Sequence, residues 1–267
     1  MIKTTNIILS AKGGVGKTYI ACDLAEYLFA HDVNFTMIDT DATNEWLTNT
    51  RFFKANKCDL KDSESFVTSE KLPELAIIYA NKNLIIDTGA NSYGSWVSFL
   101  KNNGGLDILQ SNGNKVVLHV VVPQGQMEFE CINSLKELCD LEQDVTLVVW
   151  LNNAIASGIN PLSIKDFYKD IGDDAILNKI HYVIELPQCN RVDRVLVNKL
   201  HDKNLCMTDI LLATNSELEK IDFGDGKFGN VVDKVMSKTY QKKIFNAIDI
   251  IKPLYVDEAS ENDENQK

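Results

Sequence analysis

Ser10-Ala11-Lys12-Gly13-Gly14-Val15-Gly16-Lys17-Thr18 follows the apolar run Ile7-Ile8-Leu9 and precedes an amphipathic segment with Ile20, Ala21, Leu24, Ala25 and Leu28 on one face. Strand, glycine-rich turn and helix in that order are what a phosphate-binding loop requires. Glycines let the backbone curl and turn successive N–H groups inward, which makes an anion-binding concavity. The first turn of the new helix adds free N–H groups and the positive end of its dipole. A lysine at position 17 would reach the β- and γ-phosphates, and the Thr18 hydroxyl would ligate Mg²⁺. The pattern GxxxxGK[ST] begins here with Ala11 in place of the first glycine. Such a string arises by chance in roughly one chain of this length in a hundred.

Working outward, strand-then-helix units repeat along the chain. Thr4–Ser10, Phe35–Asp39, Leu84–Asp87, Val116–Val122, Val145–Leu151 and Tyr182–Leu186 read as strands. Helical patterns lie between them: Lys17–Ala30, Leu72–Ala80, Tyr93–Lys101, Gln126–Leu141 and a stretch ending at Ile171. This alternation predicts an α/β fold, a mainly parallel central sheet with helices on both faces. The segment Thr40–Lys71 is polar, with a short helix expected around Asn44–Phe53 and a mobile stretch after it. Helices are expected at Asp193–Leu200, Thr208–Ala213 and Val231–Ile251, with a glycine-rich loop, Phe223–Gly229, before the last. Residues 1–255 therefore read as a single domain whose part from about 190 to 252 is helical. Residues 256–267, rich in Asp and Glu, read as a disordered acidic tail.

The length of 267 residues and apolar content of 45% suit one domain with a substantial core. Lys and Arg number 27 against 38 Asp and Glu, a net charge of −11, which disfavours a broad sequence-independent grip on DNA and leaves a local basic patch open. Cys22, Cys58, Cys131, Cys139, Cys189 and Cys206 form no CxC or CxxC pair, so neither a disulfide framework nor a zinc site is expected, and a cytoplasmic setting is. The start MIKTTNIILSAKGG does not read as a signal peptide, because its apolar run leads into the phosphate loop. No apolar run is long enough to span a bilayer. The terminal helix carries Val232, Met236, Tyr240, Ile244, Ile248 and Ile251 on one stripe. That stripe suits packing on the domain better than a membrane surface, since an acidic tail follows it. His119 lies inside an apolar strand and reads as an interior histidine with a partner.

Further acids stand where ligands bind in open α/β sheets, at the carboxyl ends of strands. Asp39-Thr40-Asp41 ends the second strand and Asp87 ends Leu84-Ile85-Ile86-Asp87. Such an acid can hold Mg²⁺ through water or orient an attacking water; the blander readings are a helix cap for Asp39 and Asp41 and a turn for Asp87. Gly89 could free a backbone N–H to sense a γ-phosphate. No NKxD-like guanine signature stands in the right place, which favours adenine.

Lys12, the second lysine of the loop, is the mark of the deviant Walker A group, and with it the chain resembles the ParA/MinD superfamily of ATPases. The strings SAKGGVGKT, IDTDATNEW, LIIDTGANSY, HVVVPQGQ, VVWLNN and ELP, over roughly residues 5–187, resemble the TraL-type branch encoded with plasmid conjugal-transfer systems and related plasmid stability proteins. Ala42-Thr43-Asn44 replaces the Pro-Gln-Gly usual in ParA proteins and departs from a chromosomal partition role. The resemblance implies ATP/ADP and Mg²⁺ as ligands. It gives Gly13, Gly14, Val15, Gly16, Lys17, Thr18 and Tyr19 to the nucleotide, and Asn152 and Pro187 to the base. Thr18, Asp39 and Asp87 would serve Mg²⁺. Lys12, Lys17 and Asp41 would be catalytic, with Lys12 acting across a nucleotide-dependent homodimer. It further implies an ATPase switch acting on plasmid transfer or partition proteins. The rival expectation is a nucleotide-binding adaptor with negligible turnover.

Overall fold

The computed structural model describes residues 3–41, 44, 46–60, 71–79, 82–102, 104–111, 113–141, 144–154, 160–218, 220 and 231–256. Seven strands form one sheet: β1 (Thr4–Leu9), β2 (Thr36–Asp39), β3 (Asn56–Lys57), β4 (Leu84–Asp87), β5 (Lys115–Pro123), β6 (Thr146–Asn152) and β7 (Tyr182–Glu185). Their order across the sheet is β3-β2-β4-β1-β5-β6-β7, and every pairing is parallel. The expected α/β architecture is therefore the observed one. β1, β4 and β6 are buried at every position, without alternation, because helices cover both faces of the sheet.

The helices are α1 (Lys17–Ala30), α2 (Trp46–Asn49), α3 (Leu72–Ile78), α4 (Tyr93–Asn102), α5 (Gly105–Gln110) and α6 (Glu128–Cys139). After β6 come α7 (Ile164–Ile171), α8 (Asp174–Leu177), α9 (Arg191–Asp202), α10 (Met207–Leu212), α11 (Asn215–Leu218) and α12 (Val231–Ile248). α1 packs on β1 and β4, α5 and α6 pack on β5, and α12 meets α1, α9, α10 and β7. Tyr240, Ile244, Ile248 and Ile251 are buried, so the stripe from Tyr240 on is core-facing.

The chain runs from β1 outward to β2 and β3, returns to β4 beside β1, then proceeds the other way through β5 to β7. The strand order therefore reverses at β1, and such a switch point opens a crevice at the carboxyl ends of the strands. The register aligns Ile8 with Asp87 and Asp39 with Asp87, which sets both acids at that rim.

Several short elements depart from the expected pattern. β3 is a two-residue exposed edge strand, and α5, α8 and α11 are one or two turns long, too short for periodicity to mark them. The helix expected at Asn44–Phe53 is a single turn, and α12 passes into a 3-10 turn, Asp249–Leu254, that contains Pro253. Glycine-rich Phe223–Gly229 and the acidic tail beyond Val256 lie outside the described residues, as does most of the stretch after Phe53 read as mobile.

Beneath the rim lies a buried polar network. Trp150 Nε1 donates to His119 Nδ1 at 2.9 Å, and His119 Nε2 lies 3.1 Å from Asn6 Oδ1. An acceptor at Nδ1 requires the proton on Nε2, so the ring is neutral with one fixed tautomer. Burial lowers the imidazole pKa to about 3. Tyr255 donates its hydroxyl to the same Asn6 Oδ1 at 2.7 Å, and Asn6 Nδ2 donates to Leu84 O at 2.8 Å. Four strands and the end of the helical region thus share one satisfied cluster. His119→Phe leaves the Trp150 N–H without its acceptor in a dry core; a loss of about 2–4 kcal/mol is expected in urea unfolding, and a change under about 0.5 kcal/mol would contradict this reading.

Candidate nucleotide-binding site

The loop after β1 takes its shape from two features. Gly16 has φ of 97°, and a Cβ there would overlap Asn152 Nδ2. A substitution at Gly16 is strained on both counts. α1 begins immediately after it with no acidic residue in its first turn, so the helix brings no acid of its own to its positive end.

Lys17 is buried, and its ammonium donates to Lys12 O at 2.9 Å, across the mouth of the loop. Burial lowers its pKa, against the pull of Asp87 and Asp41. A cation held in a poorly solvated place, whose hydrogen bond among the described residues goes to a neutral carbonyl, is poised for an anion.

Asp87 is the centre of the acidic side. Its Oδ2 accepts from Thr18 Oγ1 at 2.7 Å. Its Oδ1 is buried and has no hydrogen-bond partner among the described residues. Burial raises its pKa to about 7, further helped by Asp39 and opposed by the Thr18 bond and Lys17. An orphaned carboxylate oxygen beside a threonine hydroxyl is a hard oxygen donor set, and it fits Mg²⁺. Asp39 stands opposite Asp87 in the β2–β4 register, and its Oδ1 accepts the Asp41 N–H at 2.9 Å. The Asp41 carboxylate in turn lies against Gly89, where a Cβ would stand 2.9 Å from Asp41 Oδ1. Thr88 Oγ1 donates to Ile8 O at 2.6 Å and pins this loop to the end of β1. Gly13, Gly14, Gly16, Lys17, Thr18 and Asp41 together line a cleft of about 490 Å³ with Ala90 and Asn91.

Tyr19, Trp46 and His201 form an aromatic wall at the end of this cleft. The Trp46 and His201 rings stack at 9° with centroids 5.5 Å apart, and Trp46 Nε1 donates to His201 O at 2.9 Å. Tyr19 lies 6.0 Å from Trp46 and 5.5 Å from His201. Beyond this wall a second cavity of about 350 Å³ opens, largely apolar, with Asn152, Leu186, Cys189 and Arg194 among its lining. Leu186 and Cys189 reach it from either side of Pro187. Asn152 sits at the end of β6 and donates Nδ2 to Val15 O at 2.8 Å, so its amide braces the phosphate loop. Lys12 Nζ pairs with Glu130 Oε2 on α6 at 2.6 Å, both side chains part-exposed.

Trp46 and His201 were not among the residues singled out by sequence. Trp46 ends the quoted string IDTDATNEW, and a tryptophan in a polar stretch after a strand-end acid is a usable signal. His201 comes from α9, far along the chain, and nothing local marks it.

Residues 6–205 match the CobQ/CobB/MinD/ParA nucleotide binding domain. The chain belongs to this family. Two proteins of Escherichia coli named TraL are 30% and 27% identical to it over 150 residues. Each match covers 55% of this chain and 62% of the relative, so the chain spans about three fifths of the length of these relatives. Among solved structures, the MinD cell division protein of Aquifex aeolicus aligns at a TM-score of 0.44 and 15% identity, over 90% of this chain and 98% of that one. An ATP complex of Cyanothece McdA aligns at 0.40 and 12% identity, over 91% and 96%.

The raised Asp87 pKa has a stability consequence of definite sign. Its folded value, about 7, lies above the unfolded value of 3.8. The group therefore favours the native state fully below pH 4 or so, and that contribution is lost as pH rises through 7. Asp87→Asn removes the titration and keeps the shape. Without ligand, the variant should gain on the order of 3 kcal/mol over wild type between pH 5 and pH 8.5, measured by denaturant unfolding. Parallel pH profiles for the two proteins would contradict the assignment.

Proposed function

We propose that this protein is a Mg-ATP-dependent ATPase whose nucleotide state switches it between monomer and dimer, working in the cytoplasm on proteins of plasmid conjugal transfer or plasmid stability. The observation that carries the chemistry is the pairing of Thr18 with Asp87, whose second oxygen is buried without a partner beside an anion-binding loop. Family membership supports nucleotide binding, and the TraL relatives support the plasmid setting.

In this reading the loop N–H groups and Lys17 bind the phosphates, Lys17 exchanging Lys12 O for phosphate oxygens. Thr18 and Asp87 would hold Mg²⁺, with Asp39 behind them in the same cluster. When bound, Mg²⁺ supplies charge neutralisation at the β- and γ-phosphates. Asp41 orients a water for in-line attack on the γ-phosphorus. The bond to the β–γ bridging oxygen breaks, and ADP and phosphate leave. Catalysis is then positioning plus charge stabilisation. The aromatic wall of Tyr19, Trp46 and His201 and the apolar cavity behind it give a base and ribose a place to pack, with Asn152, Leu186 and Cys189 among the lining. Adenine fits this wall of ring faces without a guanine-reading acid.

Lys12 belongs to the switch. Its pairing with Glu130 is an ion pair with 39% and 48% side-chain exposure, and such pairs contribute at most about 1 kcal/mol. Lys12 can therefore leave Glu130 for a partner subunit's nucleotide at little cost. Nucleotide-dependent dimerisation is expected in sedimentation: dimer with Mg-ATP, monomer without nucleotide. A chain that stays monomeric while binding ATP would remove the switch from the reading. Asp41→Ala should lower phosphate release by about 100-fold while ATP affinity changes less than about threefold. Equal, near-zero release by wild type and variant with tight ATP binding would instead identify a nucleotide-binding adaptor.

A further inference from the structure

Along the second, largely apolar cavity another group of ligand-type side chains meets. Cys22 and Glu26 stand four residues apart on α1, one turn up the same helix face. Cys206 comes from the N-cap position of α10. One sulfur of each cysteine and one carboxylate oxygen of Glu26 lie within 4.8 Å of one another, and all three residues are buried. Glu26 Oε1 accepts the Thr208 N–H at 2.6 Å. Glu26 Oε2 has no partner among the described residues, although the side chain is 1% exposed.

That orphaned oxygen needs an explanation. A buried carboxylate oxygen without a full-strength hydrogen bond is costly, and the Glu26 carboxylate lies beside two sulfurs whose thiols are only weak donors. We propose that Cys22, Glu26 and Cys206 form a binding site for one borderline-soft divalent cation of the Zn²⁺ class. Two sulfur donors with one carboxylate select Zn²⁺ over Mg²⁺ or Ca²⁺, which take oxygen ligands. Cys22, Glu26 and Cys206 all line the 350 Å³ cavity, so a fourth position opens onto it, as in three-ligand zinc sites.

The protons balance simply. Each thiol releases its proton to solvent when the metal binds, no electrons move, and the cluster of three anionic ligands with one dication carries −1. Cys206 Sγ gives up the hydrogen bond it makes to Asp209 Oδ2 at 3.1 Å. Asp209 keeps the Cys206 N–H at 2.8 Å, so the start of α10 stays capped. The ion joins the helix that follows the phosphate loop to the helical region after β7, and it sets the shape of the cavity wall. Sequence spacing hides the site, since its cysteines lie on separate elements and form no CxxC pair.

The test uses the full chain with all six cysteines and the metals alone as probes. Protein reduced and loaded with Zn²⁺, then dialysed, should retain one Zn²⁺ per chain by elemental analysis. Co²⁺ in its place should give sulfur-to-cobalt charge-transfer absorption in the near ultraviolet. Cys206→Ser should abolish that absorption, and Glu26→Gln should lower Zn²⁺ affinity by at least about tenfold. Cys58→Ser, away from the cluster, should leave both unchanged. Wild-type protein that holds no Zn²⁺ and shows no cobalt–sulfur band overturns the proposal, with no variant needing to fold. A band that survives Cys206→Ser, or a Cys22–Cys206 disulfide in protein kept under reductant, overturns it equally.

Discussion

The parallel register of β4 between β1 and β2 governs what the rest of the molecule can do. It places Asp87 opposite Ile8 on one side and Asp39 on the other, at the rim where the phosphate loop begins. From that rim Asp87 reaches Thr18, and the Thr18 bond joins the acid of one strand to the first turn of the helix that follows another. A single-residue slip in either pairing would turn Asp87 to the other face and separate it from Thr18. The all-apolar strands, buried on both faces, make such a slip expensive because every residue would need a new packing partner.

The site without ligand is frustrated in a consistent way. Lys17 is buried against a neutral carbonyl, Asp87 has an orphaned oxygen and a raised pKa, and α1 begins with no acid in its first turn. Each of these is unfavourable by itself, and in the proposed function a polyanion with a hard dication would relieve all three. Three such conflicts meet at one rim, over a network in which His119 is doubly bonded, and strain of this kind gathers at functional sites.

Much of this was legible in the sequence because the signals were strong and local. A glycine loop between an apolar strand and an amphipathic helix, and acids ending two short apolar runs, carry both the fold class and the phosphate and acid sides of the site. The order Leu84-Ile85-Ile86-Asp87 needs no tertiary information to be read as a buried strand ending in an acid. Other parts were not legible for physical reasons. β3 is two residues long and exposed, so it has no hydrophobic period. Asn152 could be placed at a strand end, but its bond to Val15 O depends on β6 lying two strands from β1. The Trp46–His201 stack and the Cys22–Glu26–Cys206 cluster join residues far apart in the chain, and only the folded backbone brings them together.

In the proposed function the orphaned oxygen of Asp87 faces a magnesium-bound nucleotide. The most direct measurement is calorimetric titration of ATP with and without Mg²⁺, on wild type and on Asp87→Asn. Wild type should bind ATP at least about tenfold more tightly with Mg²⁺, and the variant should bind with the same affinity in both conditions. An unchanged Mg²⁺ dependence in Asp87→Asn, or no ATP binding by the wild type, would contradict the account.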